Sequence, residues 1–209
     1  MTDAAALEAF ERLVLEQQPA SAPWAPPVGV DYSFEARKQI EGKHPELIRD
    51  VFQPREVLDV GCGRGHLVVL LGQVGVSAQG MDVQWPERCH FWRGDITRAD
   101  CVRWPMGYDL VICREVLEHL TLREIHRAVT NLCALTSKYL YITTRFHLAP
   151  THLLDVMTAD DLDPTHISMT NQTWLRHRIV LEGFKRRPDL ETAMDWQGKG
   201  RCLVYERAV

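Results

Sequence analysis

The segment Val57-Leu58-Asp59-Val60-Gly61-Cys62-Gly63-Arg64-Gly65 has the residue types that let a main chain close on a ligand. Glycines permit positive φ and close backbone approach. A helix starting behind them offers free N–H groups to an anionic group. The spacing differs from a dinucleotide loop, G-x-G-x-x-G. The third glycine, Gly65, comes one residue early, and His66 stands where it should be. Asp59 precedes the loop; an acid there would repel a pyrophosphate and suit an ammonium group. Asp82 falls 21 residues after Gly61, the place for a carboxylate accepting from ribose hydroxyls. In Gly94-Asp95-Ile96 the acid suits an adenine amino group, with Ile96 packing on the ring. Cys113, Arg114 and Glu115 close an apolar run, at the edge where α/β sheets bind ligands.

Positioning these groups requires alternating strands and helices. Short β-rich runs occupy 56–60, 78–83, 90–92, 108–113 and 138–143, and helical patterns occupy 39–52, 65–74 and 122–135. The run Tyr108 to Cys113 is continuous and apolar, as in a strand buried on both faces. Such alternation predicts a doubly wound α/β fold with a mostly parallel sheet. A helix over 171–182 ends at Gly183, and strands over 184–187 and 201–206 follow. Residues 3–18 read as a helix, and four prolines between Pro19 and Pro27 make a linker. The expected organisation is an N-terminal helix and Pro-rich linker over 1–38, serving as a lid, and one domain over 39–209. Residues 144–170 lose the pattern, and an irregular stretch that long is usually functional.

The 209 residues suffice for one core and are short for two domains. Apolar residues at 45% and charged residues at 25% are ordinary for a globular chain. Lys plus Arg is 24 against 28 for Asp plus Glu, a net charge of -4. Duplex nucleic acid is therefore not the expected partner. No apolar stretch reaches the roughly 20 residues of a membrane span. The six cysteines form no C-x-x-C pair, which argues against a zinc ribbon and suits buried thiols in a reducing cytoplasm.

Together the motifs V-L-D-V-G-C-G-R-G at 57–65, G-M-D-V at 80–83, G-D-I at 94–96 and Y-D-L-V-I-C-R-E-V-L-E-H-L at 108–120 resemble the class I S-adenosylmethionine-dependent methyltransferases. The resemblance covers roughly residues 40–206. It implies a seven-stranded sheet whose last strand is antiparallel. It also implies that Asp59, Gly61 and Gly63 hold the methionine part of the cofactor. Asp82 would hold its ribose, and Val83, Asp95 and Ile96 its adenine. Cys62, Cys113 and Arg114 complete the expected cofactor contacts. One departure stands out: many members carry Lys-Pro-Gly-Gly before the fifth strand, and this chain has Ala134-Leu135-Thr136-Ser137-Lys138.

The acceptor side follows from the same resemblance. The sulfonium methyl is already activated, so alignment and exclusion of water carry much of the catalysis. A hydroxyl acceptor also profits from a general base. His119, His147 and His166 are the candidates, and His147 and His166 are the expected catalytic pair. Glu115, Glu118 and His119 sit at i, i+3 and i+4, sharing one face if helical. This E-x-x-E-H pattern looks like the metal triad of ubiquinone-type O-methyltransferases and of small-RNA 2′-O-methyltransferases. The same string is a helix start in many relatives, and no metal is expected. Asp163-Pro164-Thr165-His166-Ile167 resembles a substrate-side segment of methyltransferases from glycan and natural-product pathways. The expectation is methyl transfer from S-adenosylmethionine to oxygen of a small-molecule or sugar acceptor. The alternatives are a metal-dependent RNA 2′-O-methyltransferase, using a patch at Arg176, Arg178, Lys185, Arg186 and Arg187, and a nucleotide-binding oxidoreductase.

Overall fold

The computed structural model describes residues 34–84, 90–103, 105–146, 154–155 and 165–208. The expected N-terminal helix and proline linker, His147 and most of 148–164 lie outside the described residues. Two helices open the described chain, α1 (Phe34–Glu41) and α2 (His44–Phe52). The single helix expected over 39–52 is thus two, broken at Gly42, whose φ is +51°. There follow β1 (Glu56–Val60), α3 (His66–Gln73), β2 (Ser77–Asp82), β3 (Phe91–Arg93), β4 (Tyr108–Arg114), α4 (Leu122–Leu135) and β5 (Thr136–Thr143). After them come the two-residue strands β6 (Leu154–Asp155) and β7 (Met169–Thr170), then α5 (Gln172–Leu181), β8 (Phe184–Arg186), α6 (Pro188–Met194) and β9 (Cys202–Arg207).

The main sheet has seven strands in the order β3-β2-β1-β4-β5-β9-β8. Strand β9 runs antiparallel to both β5 and β8, and the other pairings are parallel. Helices cover both faces. Leu58, Val60, Val111 and Cys113 pack on one side with Ile125, Val129 and Leu132 of α4 and Leu175 and Ile179 of α5. Val57, Leu110, Ile112 and Tyr141 pack on the other with Ile48 and Phe52 of α2 and Leu67 and Leu71 of α3. Alternate residues of β4 therefore serve opposite cores, which is why its sequence is a continuous apolar run.

Where the family turn is absent, α4 passes directly into β5. Thr136 at the junction donates from Oγ1 to the Leu132 carbonyl at 2.7 Å. Helix α6 had no expected counterpart. Its signals are Pro188 in the first turn with Asp189 and Glu191 behind it, over only seven residues with few apolar positions.

Candidate functional site

The glycine loop leaves β1 at the carboxyl edge of the sheet. Gly61 N–H and Cys62 N–H both donate to the Met81 carbonyl, at 2.8 and 3.2 Å, tying the loop to β2. Gly63 N–H donates to Asp82 Oδ2 at 3.0 Å, and Gln84 N–H donates to Oδ1 at 3.0 Å. Asp82 thus braces the loop as well as ending β2. The glycines differ in what surrounds them. A Cβ on Gly61 would lie 2.3 Å from Val116 Cγ2, whereas one on Gly63 would meet nothing within 4 Å among the described residues. The protein itself occupies the space beside Gly61, and the space at Gly63 is open to a ligand.

Asp59 is 5% exposed, and among the described residues no hydrogen bond reaches its carboxylate. Burial pushes its carboxyl up to about 7; Arg114 opposes the shift, and the charges of Glu41 and Asp82 add to it. A buried carboxylate without donors is costly alone and ready for a cation. Arg114 Nη1 donates to Glu41 Oε2 at 2.8 Å. Burial alone would raise the Glu41 carboxyl, but its hydrogen bond from His44 and the Arg114 charge hold it at about 2. Burial, then the Arg114 charge, lowers His44 below its usual range, so the ring is neutral. The carboxylate can only accept, so His44 Nδ1–H donates to Glu41 at 2.8 Å. Nε2 then accepts from the Tyr141 hydroxyl at 3.1 Å. Nothing in the periodicity marked Glu41, His44 and Tyr141 as partners of this edge; the contacts span 70 to 97 residues.

The remaining expected cofactor residues lie beside this loop in two ways. Asp82 pairs with Arg93 in the β2–β3 register, and Gly94 N–H donates to the Asp82 carbonyl at 3.1 Å, which holds the Gly94-Asp95 turn at the end of β2. Val83 is 49% exposed. Asp95 Oδ1 takes Thr97 N–H and Oγ1–H at 2.9 and 2.7 Å. The Ile96 and Cys113 side chains are in the core, so only their backbone reaches the edge. Cys62 turns its sulfur onto β2 at Gly80.

On the acceptor side the E-x-x-E-H segment is not one α-helical face. Glu115 has φ +52°, and residues Leu117–His119 form a 3₁₀ turn. Glu115 N–H is drawn to the Thr143 carbonyl at 2.9 Å, and its positive φ keeps a helix from running through it. Helix α4 starts later, at a capping box between Thr121 and Glu124. The 165–168 segment lies on this turn. Ile167 and Ser168 N–H both donate to the Glu118 carbonyl, at 2.8 and 3.0 Å. His119 Nδ1 sits 3.2 Å from the Thr165 carbonyl and 2.9 Å from its hydroxyl. The carbonyl only accepts, so Nδ1 carries hydrogen. The His119 and His166 rings are 4.7 Å apart between centroids. Among the described residues no group of three His, Cys, Asp or Glu is arranged to hold a metal ion.

The arginine patch is largely neutralised. Arg178 pairs with Glu182 at 3.1 Å, Arg186 with Glu191 at 2.6 Å, and Arg187 with Asp189 and Glu206.

A methyltransferase-domain family matches residues 32–186. A probable tRNA (uracil-O(2)-)-methyltransferase of Caenorhabditis elegans is 32% identical over 63 residues, 30% of this chain and 11% of that protein. Among solved structures, an O-methyltransferase family protein from Burkholderia thailandensis superposes with a TM-score of 0.61 at 16% identity, covering 84% of this chain and 58% of that one. The magnesium protoporphyrin IX methyltransferase of Synechocystis, solved with bound SAM, gives 0.55 at 18% identity over 86% of each chain. The chain thus spans 11% and 58% of the first two of these proteins. The structural likenesses show a shared Rossmann-like fold.

Proposed function

The chain belongs to the methyltransferase-domain family, and from that premise we propose that it moves the methyl group of S-adenosylmethionine to an oxygen of a small-molecule or sugar acceptor. The cofactor supplies an electrophilic methyl on sulfur; the residues of this chain bind, orient and take up a proton. Asp59 meets the cofactor's ammonium group, the open backbone at Gly63 lets its methionine part approach, and Asp82 takes the ribose. The observation that carries the acceptor side is the docking of 165–168 onto the turn after β4, which sets His166 against His119 at the ligand edge. His166 is the proposed base, with His147 as the second. An RNA acceptor has support from the tRNA-modifying relative, but the neutralised arginines offer few free charges to a phosphate backbone.

Labelled methyl transfer onto sugar nucleotides, phenols, short peptides and RNA, with product detection, tests the reading. Transfer to RNA alone would replace the small-molecule proposal. With the acceptor so found, His166→Ala should lower the rate by about 100-fold or more, the usual contribution of a general base. Cofactor affinity should be nearly unchanged. Full activity in both His166→Ala and His147→Ala would leave alignment without a base. Activity is also expected to survive EDTA; full loss restored by magnesium or zinc would require a resident metal.

Asp59 predicts a pH dependence. Its carboxyl titrates at about 7 in the free protein, and an ammonium group binds the ionised form. Affinity for S-adenosylmethionine should be full above that pH and fall below it, by roughly tenfold per unit until the bound-state value is reached. Calorimetry across the range reads this directly. A flat profile, or Asp59→Asn with parental affinity, would remove Asp59 from the site.

A further inference from the structure

Two opposite charges end adjacent strands without meeting. Asp59 of β1 pairs with Ile112 of β4 in the parallel register. Arg114 stands two residues beyond Ile112, so both side chains leave the same face of the sheet. An arginine in that place could close on the buried carboxylate. Among the described residues it makes no ion pair with Asp59 and turns instead to Glu41 at the end of α1, with Nη1 2.8 Å from Oε2. Buried groups hold it there. His44 Nδ1–H donates to the same Oε2 at 2.8 Å, which sets the two donor nitrogens 3.2 Å apart. Behind it, the ring meets the Tyr141 hydroxyl at 3.1 Å and stacks on Trp196 with 5.9 Å between centroids. His44 is 0% exposed and Tyr141 1%. Only Nη1 of the guanidinium is engaged. Its Nε is buried without a hydrogen-bond partner, and no described residue accepts from Nη2. A buried orphan donor demands an explanation. Nε and Nη2 form an edge that can grip a carboxylate through two parallel bonds, and the side chain is 20% exposed.

We propose that Glu41, His44 and Tyr141 hold Arg114 off Asp59, so that its Nε–Nη2 edge takes the carboxylate at the amino-acid end of the cofactor while Asp59 takes the ammonium group of that same end. Arg114 is then the contact group, and Glu41, His44 and Tyr141 are positioning residues. An Arg114–Asp59 pair would satisfy both charges and leave nothing for a zwitterion. Kept apart at one sheet edge, the two match an ammonium and a carboxylate carried on a single carbon. The identity of the ligand rests on the methyltransferase reading; the clamp on Arg114 does not.

Titration calorimetry of the full chain with S-adenosylmethionine and with its decarboxylated analogue tests the assignment. The two ligands share the sulfonium, ribose and adenine and differ only in the carboxylate. The parent should bind the intact cofactor at least about tenfold more tightly, the effect of a charge-assisted two-bond contact. Arg114→Gln should lose that preference through the intact cofactor alone, with the decarboxylated ligand bound nearly as in the parent. Glu41→Ala should lose most of it too, because Arg114 is then released towards Asp59. Glu41→Gln, whose amide oxygen still accepts from Arg114, should recover most of it. A variant that only loosened the fold would weaken both ligands together and leave their ratio unchanged. The parental comparison needs no substitution, so it stands even where Arg114→Gln does not fold. Equal binding of the two ligands by the parent, or an unchanged ratio in folded Arg114→Gln or Glu41→Ala, overturns the proposal and leaves the methyltransferase reading standing. Binding of neither ligand would sink that reading and the carboxylate assignment with it.

Discussion

Replacing Asp82 with alanine should weaken S-adenosylmethionine binding by about 1–3 kcal/mol, roughly 5- to 150-fold, the range for lost hydrogen bonds to a charged group. The carboxylate already accepts one main-chain N–H on each oxygen, from Gly63 and Gln84. Each oxygen keeps a second lone pair, enough for two ribose hydroxyls. The substitution therefore removes the ribose acceptors and also loosens the brace that sets the glycine loop. Asp82→Asn keeps one acceptor oxygen and should fall between parent and alanine. Titration calorimetry with the cofactor reads the effect, and a thermal melt shows that the variant is folded. A folded Asp82→Ala protein with parental affinity would take Asp82 out of the site.

The same residue shows why part of the candidate site is legible in the sequence. Strand ends in a doubly wound sheet fall at one edge, so a carboxylate that closes an apolar run is placed by the fold itself. Asp59, Gly61, Gly63 and Asp82 are brought to one edge this way, because each sits near a strand end or in the turn after it. Groups joined across the chain leave no local trace. Glu41, His44 and Tyr141 surround Arg114 only because α1 and α2 pack over β4 and β5. The arginines of α5 and β8 look like a basic patch along the chain. In space, Arg187 meets Glu206 of the antiparallel strand β9. The spacing of Glu115, Glu118 and His119 fits a helix and also fits a turn. What decides between them is the Glu115 backbone, whose φ of +52° is not helical while its N–H is drawn to the Thr143 carbonyl, 28 residues away. Ile96 shows a similar limit. Its place after β3 suits a ring-packing role, but Asn131 Nδ2 holds its carbonyl at 2.7 Å while its side chain fills the core.

Gly61→Ala and Gly63→Ala should fail in different ways, although both glycines stand in the left-handed region, at φ +72° and +53°. At either position an alanine costs about 1–2 kcal/mol for its backbone alone. At Gly61 the new methyl would also lie 2.3 Å from Val116 Cγ2. Valine is stiff at χ1 and cannot swing aside freely, so overpacking adds about 1–3 kcal/mol. The expected sum is roughly 2–5 kcal/mol, a drop in Tm of roughly 4–20 °C for a chain of this size. At Gly63 the methyl meets nothing within 4 Å among the described residues, so the stability loss stays near the backbone cost alone. The methyl instead enters the space through which the cofactor approaches the loop. Gly63→Ala should therefore lose more than tenfold in S-adenosylmethionine affinity, about 1.4 kcal/mol or more, while melting only about 2–8 °C below the parent, the backbone cost alone. Thermal melts and calorimetry on the pair separate a glycine that the protein needs from one that the ligand needs. A Gly63→Ala protein that binds as tightly as the parent would show that the cofactor does not pass that backbone.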